Sequence, residues 1–239
     1  MQNMAEIMKK VVVFTGSGIS AESGIPTFRT GVDGLWNNHR IEEICTHEAM
    51  EYNRLGVIEF YNDLRRQMLS KEPNAAHRAI ADFEREPGFE VKLITQNVDD
   101  LHERAGSHDV VHLHGELRKL RSSIDELATV PLEGWEQDPD ARHPDGSLLR
   151  PYIVFFGEGV PYFDTAVRLA ESADVLLVVG TSLQVYPAAS LVHYAPAVAH
   201  IYVVDPGDLD LSGLGERVTH IKEPASTGVP KAIELIKKS

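Results

Sequence analysis

Six short apolar runs rich in β-branched residues punctuate the chain, at 11–14, 91–95, 111–114, 153–156, 175–180 and 201–205. Strands buried on both faces read this way, as in a parallel sheet covered by helices. Helical stretches fall between them. Residues 74–85 start at an Asn cap behind Pro73 and carry Ala76, Ile80 and Phe83 at helical spacing. Stretches 164–172 and 187–198 flank the run at 175–180, with Pro187 at a first-turn position, and 229–238 closes the chain as an amphipathic helix. The alternation predicts an α/β fold built on a doubly wound, Rossmann-like parallel sheet.

Two stretches break the alternation. Residues 27–85 form a long, mostly helical excursion, and 118–148 are polar and poorly periodic, with Pro131, Gly134, Pro139, Pro144 and Gly146. These predict a small inserted second domain, leaving 1–26, 86–117 and 149–239 to the Rossmann-like domain. At 239 residues and 43% apolar the chain can bury a real core. A formal charge of −13 argues against a nucleic-acid partner, which needs clustered Lys and Arg, and suits a basic peptide. No stretch has the length of a membrane span or the make-up of a signal peptide, and Cys45 is the only cysteine, which excludes an intrachain disulfide and a thiolate metal cluster. A cytoplasmic location is expected.

The first apolar run feeds directly into Thr15-Gly16-Ser17-Gly18-Ile19-Ser20-Ala21-Glu22-Ser23-Gly24. This fits a dinucleotide fingerprint, in which glycines give a tight turn and let backbone N–H groups approach a pyrophosphate at a helix N-terminus. Dehydrogenases place an acidic residue about 20 positions on for the adenosine ribose; here Pro26-Thr27-Phe28-Arg29 occupies that region. Hydride transfer is therefore not the expected use of the dinucleotide. Further on, Thr95-Gln96-Asn97-Val98-Asp99 and His112-Leu113-His114-Gly115 put an amide, a carboxylate and an imidazole at the ends of neighbouring strands. Histidine is the side chain whose unperturbed pKa suits proton transfer near neutrality.

These motifs, followed in order by Phe156-Gly157-Glu158 and Gly180-Thr181-Ser182, closely resemble those of the sirtuin family of NAD-dependent protein-lysine deacylases. The resemblance runs through nearly the whole chain. It implies a Rossmann domain, a small domain and a cleft between them, with NAD as cofactor and acylated lysines of proteins or peptides as partners of a monomeric enzyme. Gly16, Ser17, Gly18, Ala21, Glu22, Thr27, Phe28, Arg29 and Trp36 fall to NAD, Gln96, Asn97 and Asp99 to the nicotinamide and ribose pocket, and Gly180, Thr181, Ser182, Asp205 and Ala225 to the adenosine side. His114, with Asn97 and Asp99, forms the catalytic set. Val154, Phe155, Phe156, Gly157 and Glu158 match the segment that pairs with substrate backbone as an added strand. The acyl oxygen, held in line in a dry tunnel, attacks the ribose carbon as nicotinamide leaves; a ribose hydroxyl then loses its proton to His114.

This sequence departs from the family pattern in three places. Where most sirtuins hold zinc with four cysteines, Ser122, Asp125, Asp140 and Asp145 stand here, a poor zinc set even with His143 nearby. No metal is expected, and Leu117, Leu120, Ile124, Leu127, Leu132, Trp135 and Leu148 are expected to pack as a small core instead. Members that prefer succinyl groups carry Tyr and, three residues on, Arg; here Tyr61 is matched but Leu64 holds the Arg position, with Arg65 one step on and turned by about 100°. Tyr61, Leu64 and Arg65 are thus the acyl-side candidates of a deacetylase in which desuccinylation is weakened. Asp205 replaces the usual Asn.

Simpler readings stand beside these. His77, His102 and His112 read as satisfied core histidines, Asp99 as a helix cap as well as a site residue, Cys45 as a small buried apolar residue, and Trp36 and Trp135 as packing residues. An NAD glycohydrolase or ADP-ribosyltransferase would share the loop, Asn97 and Asp99, but has no need of a peptide-docking segment; a non-catalytic NAD sensor has no need of His114.

Overall fold

The computed structural model describes residues 8–27 and 41–239, the side chain of Ile41 apart. Among these residues nine strands follow in order: β1 (Lys9–Thr15), β2 (Phe89–Thr95), β3 (Val111–His112), β4 (Gly115–Ser122), β5 (Thr129–Pro131), β6 (Leu149–Ile153), β7 (Val175–Val179), β8 (His200–Val204) and β9 (Val218–Ile221). Six form a parallel sheet in the order β3-β2-β1-β7-β8-β9, and three form an antiparallel sheet, β5-β4-β6. Around them run α1 (Ile41–Ile44), α2 (His47–Tyr52), α3 (Arg54–Met68), α4 (Ala75–Phe83), α5 (Leu101–Ala105), α6 (Phe163–Glu171) and α7 (Ala225–Lys238), with 3-10 helices at Ser17–Ser23, Ala188–His193 and Ser212–Arg217.

The doubly wound parallel sheet follows from the apolar runs. Successive residues of a strand point to opposite faces, so a continuous run is apolar on both. Val11 and Val13 join Leu93, Leu177 and Val204 beneath α4 and α7, while Val12 and Phe14 join Ile94, Leu176 and Val203 beneath α6 and the 3-10 helix Ala188–His193. Full burial of each such side chain is worth about 1.5–3 kcal/mol. The Asn74 cap forms as expected. Its Oδ1 accepts from Ala76 N at 2.9 Å, its backbone N donates to His77 Nδ1 at 3.3 Å, and its Nδ2 donates to Ile19 O at 2.7 Å. One residue thus starts α4 and ties it to the turn after β1.

Four expectations are corrected. The run at 111–114 is not one strand: β3 ends at His112, and Gly115, at φ +89, swings the chain into the antiparallel sheet. The run at 153–156 adds no strand to the parallel sheet, because Ile153 closes β6, which pairs with β4. The antiparallel sheet therefore spans Gly115 to Ile153. Apolar content reports burial on both sides but not which sheet does the burying. The helix at 187–198 is cut to Ala188–His193, since Pro196 lacks the N–H to continue it. In the small domain Leu117 packs instead with α3 residues, and Ile124 and Leu127 are exposed by 78% and 57%. Polar groups close that loop. Ser122 Oγ bonds Ser147 Oγ at 2.9 Å and accepts from the backbone N of Ile124 and Asp125, while Asp145 accepts from Ser147 N and pairs with His143. Trp135 packs under the Arg66 guanidinium.

Gly115 is the pivot between the sheets and follows His114 directly. A Cβ there would meet Tyr152 O at 2.1 Å, in a backbone conformation that itself costs a side-chain-bearing residue about 1–3 kcal/mol. Gly115→Ala is expected to lower Tm sharply or prevent folding; a Tm within a degree of the parent would show that the pivot is not needed.

Candidate active site

Strand order reverses between β1 and β7, the position where open α/β sheets bind ligands outside the carboxyl ends of their strands. The turns leaving these two strands lock backbone to backbone. Gly18 N donates to Gly180 O at 2.8 Å and Gly16 N to Val179 O at 2.9 Å. A Cβ on Gly18 would meet Gly180 Cα at 2.6 Å, so contact, as well as the ligand, demands glycine there.

Beyond this junction lies a cavity of about 250 Å³. Its sheet side is lined by Gly16, Ser17, Gly18, Thr27, Gln96, Asn97, Asp99, His114, Gly180, Thr181 and Ser182, all anticipated from sequence. Opposite stand Tyr61 and Leu64 from α3 and the segment Val154, Phe155, Phe156, Gly157 and Glu158. Ile25, Pro26, Cys45, Met68, Val98, Ile153, Val160, Val185, Tyr186 and Pro187 complete the wall. Of these, Pro26 and Val98 sit inside quoted motifs, Ile153 opens an apolar run and Pro187 a helical stretch; the others carry no sequence signal beyond being apolar or aromatic. Phe28, Arg29 and Trp36 lie outside the described residues.

Five anticipated residues do not line this cavity. Arg65, turned by about 100° around α3 from Leu64, is 1% exposed; its Nε donates to Leu117 O at 2.7 Å and its Nη1 to Asn62 Oδ1 at 2.8 Å. Glu22 reaches across the fold to α7, accepting from Ser226 N at 2.8 Å and Ser226 Oγ at 2.6 Å. Ala225, beside it, is buried at the start of that helix, and Ala21 faces outward. Asp205 is buried at the end of β8, where its Oδ1 accepts from Gly207 N.

The central polar groups are fixed by one another. Gln96 N donates to Thr15 O at 2.9 Å, and its Nε2 donates to Thr181 Oγ1 at 3.0 Å. His114 Nδ1 sits 3.1 Å from Gln96 O. A carbonyl can only accept, so Nδ1 carries the proton and Nε2 is left as the basic nitrogen. Burial lowers the His114 pKa, keeping the ring neutral near pH 7. Asn97 Nδ2 donates to Ser20 Oγ at 3.2 Å, and Ser20 Oγ donates to Asp99 Oδ2 at 3.1 Å. Asp99 Oδ1 accepts from Leu101 N, the first residue of α5, from one position before the Asp100 N-cap. Burial pushes the Asp99 carboxyl up to about 6.

The segment 154–158 is anchored from behind. Val154 N donates to His114 O and Phe156 N to Cys45 O. The Glu158 carboxylate accepts from Arg150 at 2.6 Å, Arg121 at 3.0 Å and Phe155 N at 2.9 Å. Burial opposes its charge, yet these partners hold its carboxyl below the usual range. Glu158 therefore braces the segment rather than offering a free carboxylate to the cleft.

Close glycine contacts and placement at the strand reversal fit a dinucleotide. The small-domain loop does not fit zinc. Ser122, Asp125, Asp140, Asp145 and His143 provide no thiolate, and Ser122 and Asp145 are engaged in the loop's own hydrogen bonds.

Residues 16–187 match the Sir2 family. An NAD-dependent protein deacylase of Aggregatibacter actinomycetemcomitans is 54% identical over 195 residues, 82% of this chain and 92% of that one. A solved Sir2 homologue in complex with NAD is 40% identical at a TM-score of 0.84, covering 96% of this chain and 90% of that one. A solved Sir2 complex with a p53 peptide and NAD+ is 28% identical at a TM-score of 0.76, with 96% and 94% covered. The chain belongs to the Sir2 family and is an NAD-dependent protein deacylase.

Proposed function

We propose that this deacylase removes short, uncharged acyl groups from lysine side chains, with His114 Nε2 as the base. The supporting observation is the character of the acyl wall. Cys45, Tyr61, Leu64 and Met68 line it, the Tyr61 hydroxyl is turned onto Cys45 Sγ at 3.5 Å, and no Lys or Arg is among the described lining residues. A succinyl carboxylate there would be buried without a partner, a cost that outweighs its packing. Acetyl and short aliphatic groups meet no such penalty.

NAD supplies the electrophilic ribose carbon and the nicotinamide leaving group. Gly16, Ser17, Gly18 and Thr27 hold its phosphate side, and Gly180, Thr181 and Ser182 the adenosine side. Gln96, Asn97 and Asp99 would line the reacting ribose, where the Asp99 carboxylate would supply negative charge near the positive charge that develops. Segment 154–158 docks the peptide along its exposed edge at Phe156 and Gly157. His114 takes the hydroxyl proton on Nε2. The small domain folds on the Ser122–Ser147 hydrogen bonds without zinc.

Both active forms, neutral His114 and ionised Asp99, are lost as pH falls, so kcat/KM is expected to fall on the acid side with an apparent pKa near 6, set by Asp99. Its raised pKa also means that burying the carboxylate costs stability. Stabilisation by the neutral form is full below the unfolded value of about 3.9 and gone once pH has passed about 6. Asp99→Asn, neutral throughout, is expected to raise Tm by a few degrees at pH 7.5, cut turnover and move the acid limb downward. His114→Ala is expected to abolish deacylation while NAD still binds. Undiminished turnover in either variant would remove that residue from the mechanism.

A panel of acetyl-, butyryl- and succinyl-lysine peptides read by mass spectrometry tests the acyl reading. Acetyl or butyryl is expected to exceed succinyl by about tenfold or more in kcat/KM, roughly 1.4 kcal/mol, and Leu64→Arg to narrow or invert that ratio. Equal rates on succinyl and acetyl peptides in the parent would refute it.

Dialysis against a chelator is expected to leave Tm and activity unchanged. One equivalent of zinc in the purified protein, lost together with its stability, would overturn the zinc-free reading.

A further inference from the structure

Behind the acyl wall lies a second cavity of about 270 Å³, to which α3 contributes Arg65 and Met68, the loop before α5 Asp99 and Asp100, α5 Arg104, and β4 Arg118. Its charges are unevenly compensated. Arg104 is engaged by Glu72 at 2.8 Å and lies 3.8 Å from Asp100. Among the described residues Arg65 and Arg118 bond neutral acceptors alone: Leu117 O and Asn62 Oδ1 for the first, Gly134 O for the second. Asp99, though it lines the cavity, directs its oxygens to Leu101 N and Ser20 Oγ. Most tellingly, Arg65 Nη2 is buried and has no acceptor among the described residues. A buried donor left unsatisfied costs about 1–3 kcal/mol, more when charged.

We propose that this cavity is a binding site for a small free oxyanion of the phosphate or carboxylate type, held between Arg65 and Arg118. The chemistry follows from the donors. Guanidinium groups present planar forks that match carboxylate and phosphate oxygens two at a time, and an anion here gives Arg65 Nη2 its missing acceptor. Burial and the nearby Arg118 charge together bring the Arg65 pKa down to about 10, the direction an incoming anion reverses. In a chain of formal charge −13, two guanidinium groups without a carboxylate partner among the described residues stand out against the general field. The site is separate from the acyl pocket although Met68 and Asp99 form part of both walls. Arg118 lines only the second cavity and belongs to no part of the catalytic machinery.

The test is a thermal-shift titration of the full chain with sodium phosphate and, separately, sodium succinate, each against sodium chloride at equal ionic strength. A ligand that binds only the folded state raises Tm saturably. The expected result is a saturable rise with phosphate, succinate or both, a half-saturation at least about tenfold weaker in Arg118→Ala, and unchanged deacetylation by that variant without added anion. Which salt gives the tighter response identifies the oxyanion. No rise beyond chloride, or an equal rise in Arg118→Ala, overturns the site. Should Arg118→Ala fail to fold, calorimetric titration of the parent with the two salts decides: saturable heat supports the site, and none overturns it.

Discussion

Buried polar groups at the carboxyl ends of β1 and β2 satisfy one another, and the placement of the cleft's polar groups depends on this. The parallel register sets Thr15 opposite Thr95, and Thr15 Oγ1 donates to Thr95 Oγ1 at 2.8 Å, with His102 Nε2 3.0 Å away. Thr95 Oγ1 in turn accepts from Asn97 N at 3.0 Å. His112, whose Nδ1 lies 3.0 Å from Asn97 O, stands against Glu103 at 2.7 Å; against the cost of burial, Glu103 holds its pKa up. A slip of one residue in β2 would send each of these groups to the wrong face and strand several without partners, at about 1–3 kcal/mol apiece. Apolar strands fix which faces are buried; this polar chain fixes the register to within one residue, and with it Gln96, Asn97 and Asp99.

The same chain explains why burial of Asp99 is tolerated. Leu101 N and Ser20 Oγ both hydrogen-bond its oxygens, so its carboxyl rises only to about 6 and stays ionised near neutrality. His114, with a single backbone acceptor, is pushed the other way. Two titratable groups in one pocket are thereby kept as a carboxylate and a neutral imidazole over the same pH range, the pairing an acid–base site requires.

Much of this cleft was legible because its residues sit at strand ends and in glycine turns, where chemistry and local conformation make the same demand. Gly16, Gly18 and Gly180 are needed by the backbone lock as much as by a ligand, so the sequence carries their signal twice. What was not legible depends on contacts distant in sequence. Glu22 looks like part of the nucleotide loop, but it meets Ser226 across the fold. Glu158 looks like substrate-facing sequence, yet two arginines draw its carboxylate inward. Ile124 and Leu127 look like a small core but stand in solvent, because a short loop closed by hydroxyls and a carboxylate needs no apolar centre. The strand Val218–Ile221 went unread because it is short and only half-buried, with Thr and His inside it.

The two cavities beside α3 express a single geometric fact. Tyr61, Leu64 and Met68 follow one another by three and four residues, so they share one face of the helix and line the acyl wall. Arg65, one step past Leu64, is rotated by about 100° and opens onto the second cavity, where Met68, between the two faces, contributes to both walls. A guanidinium at 64 would be answerable to a ligand in the cleft; at 65 it is answerable to Leu117 O and Asn62, and one of its nitrogens is left over. Among the described residues, the positive charge of α3 thus stands one helical step from the wall proposed for the acyl group. The apolar wall that α3 gives the cleft and the arginine-lined cavity behind it are two consequences of the same register.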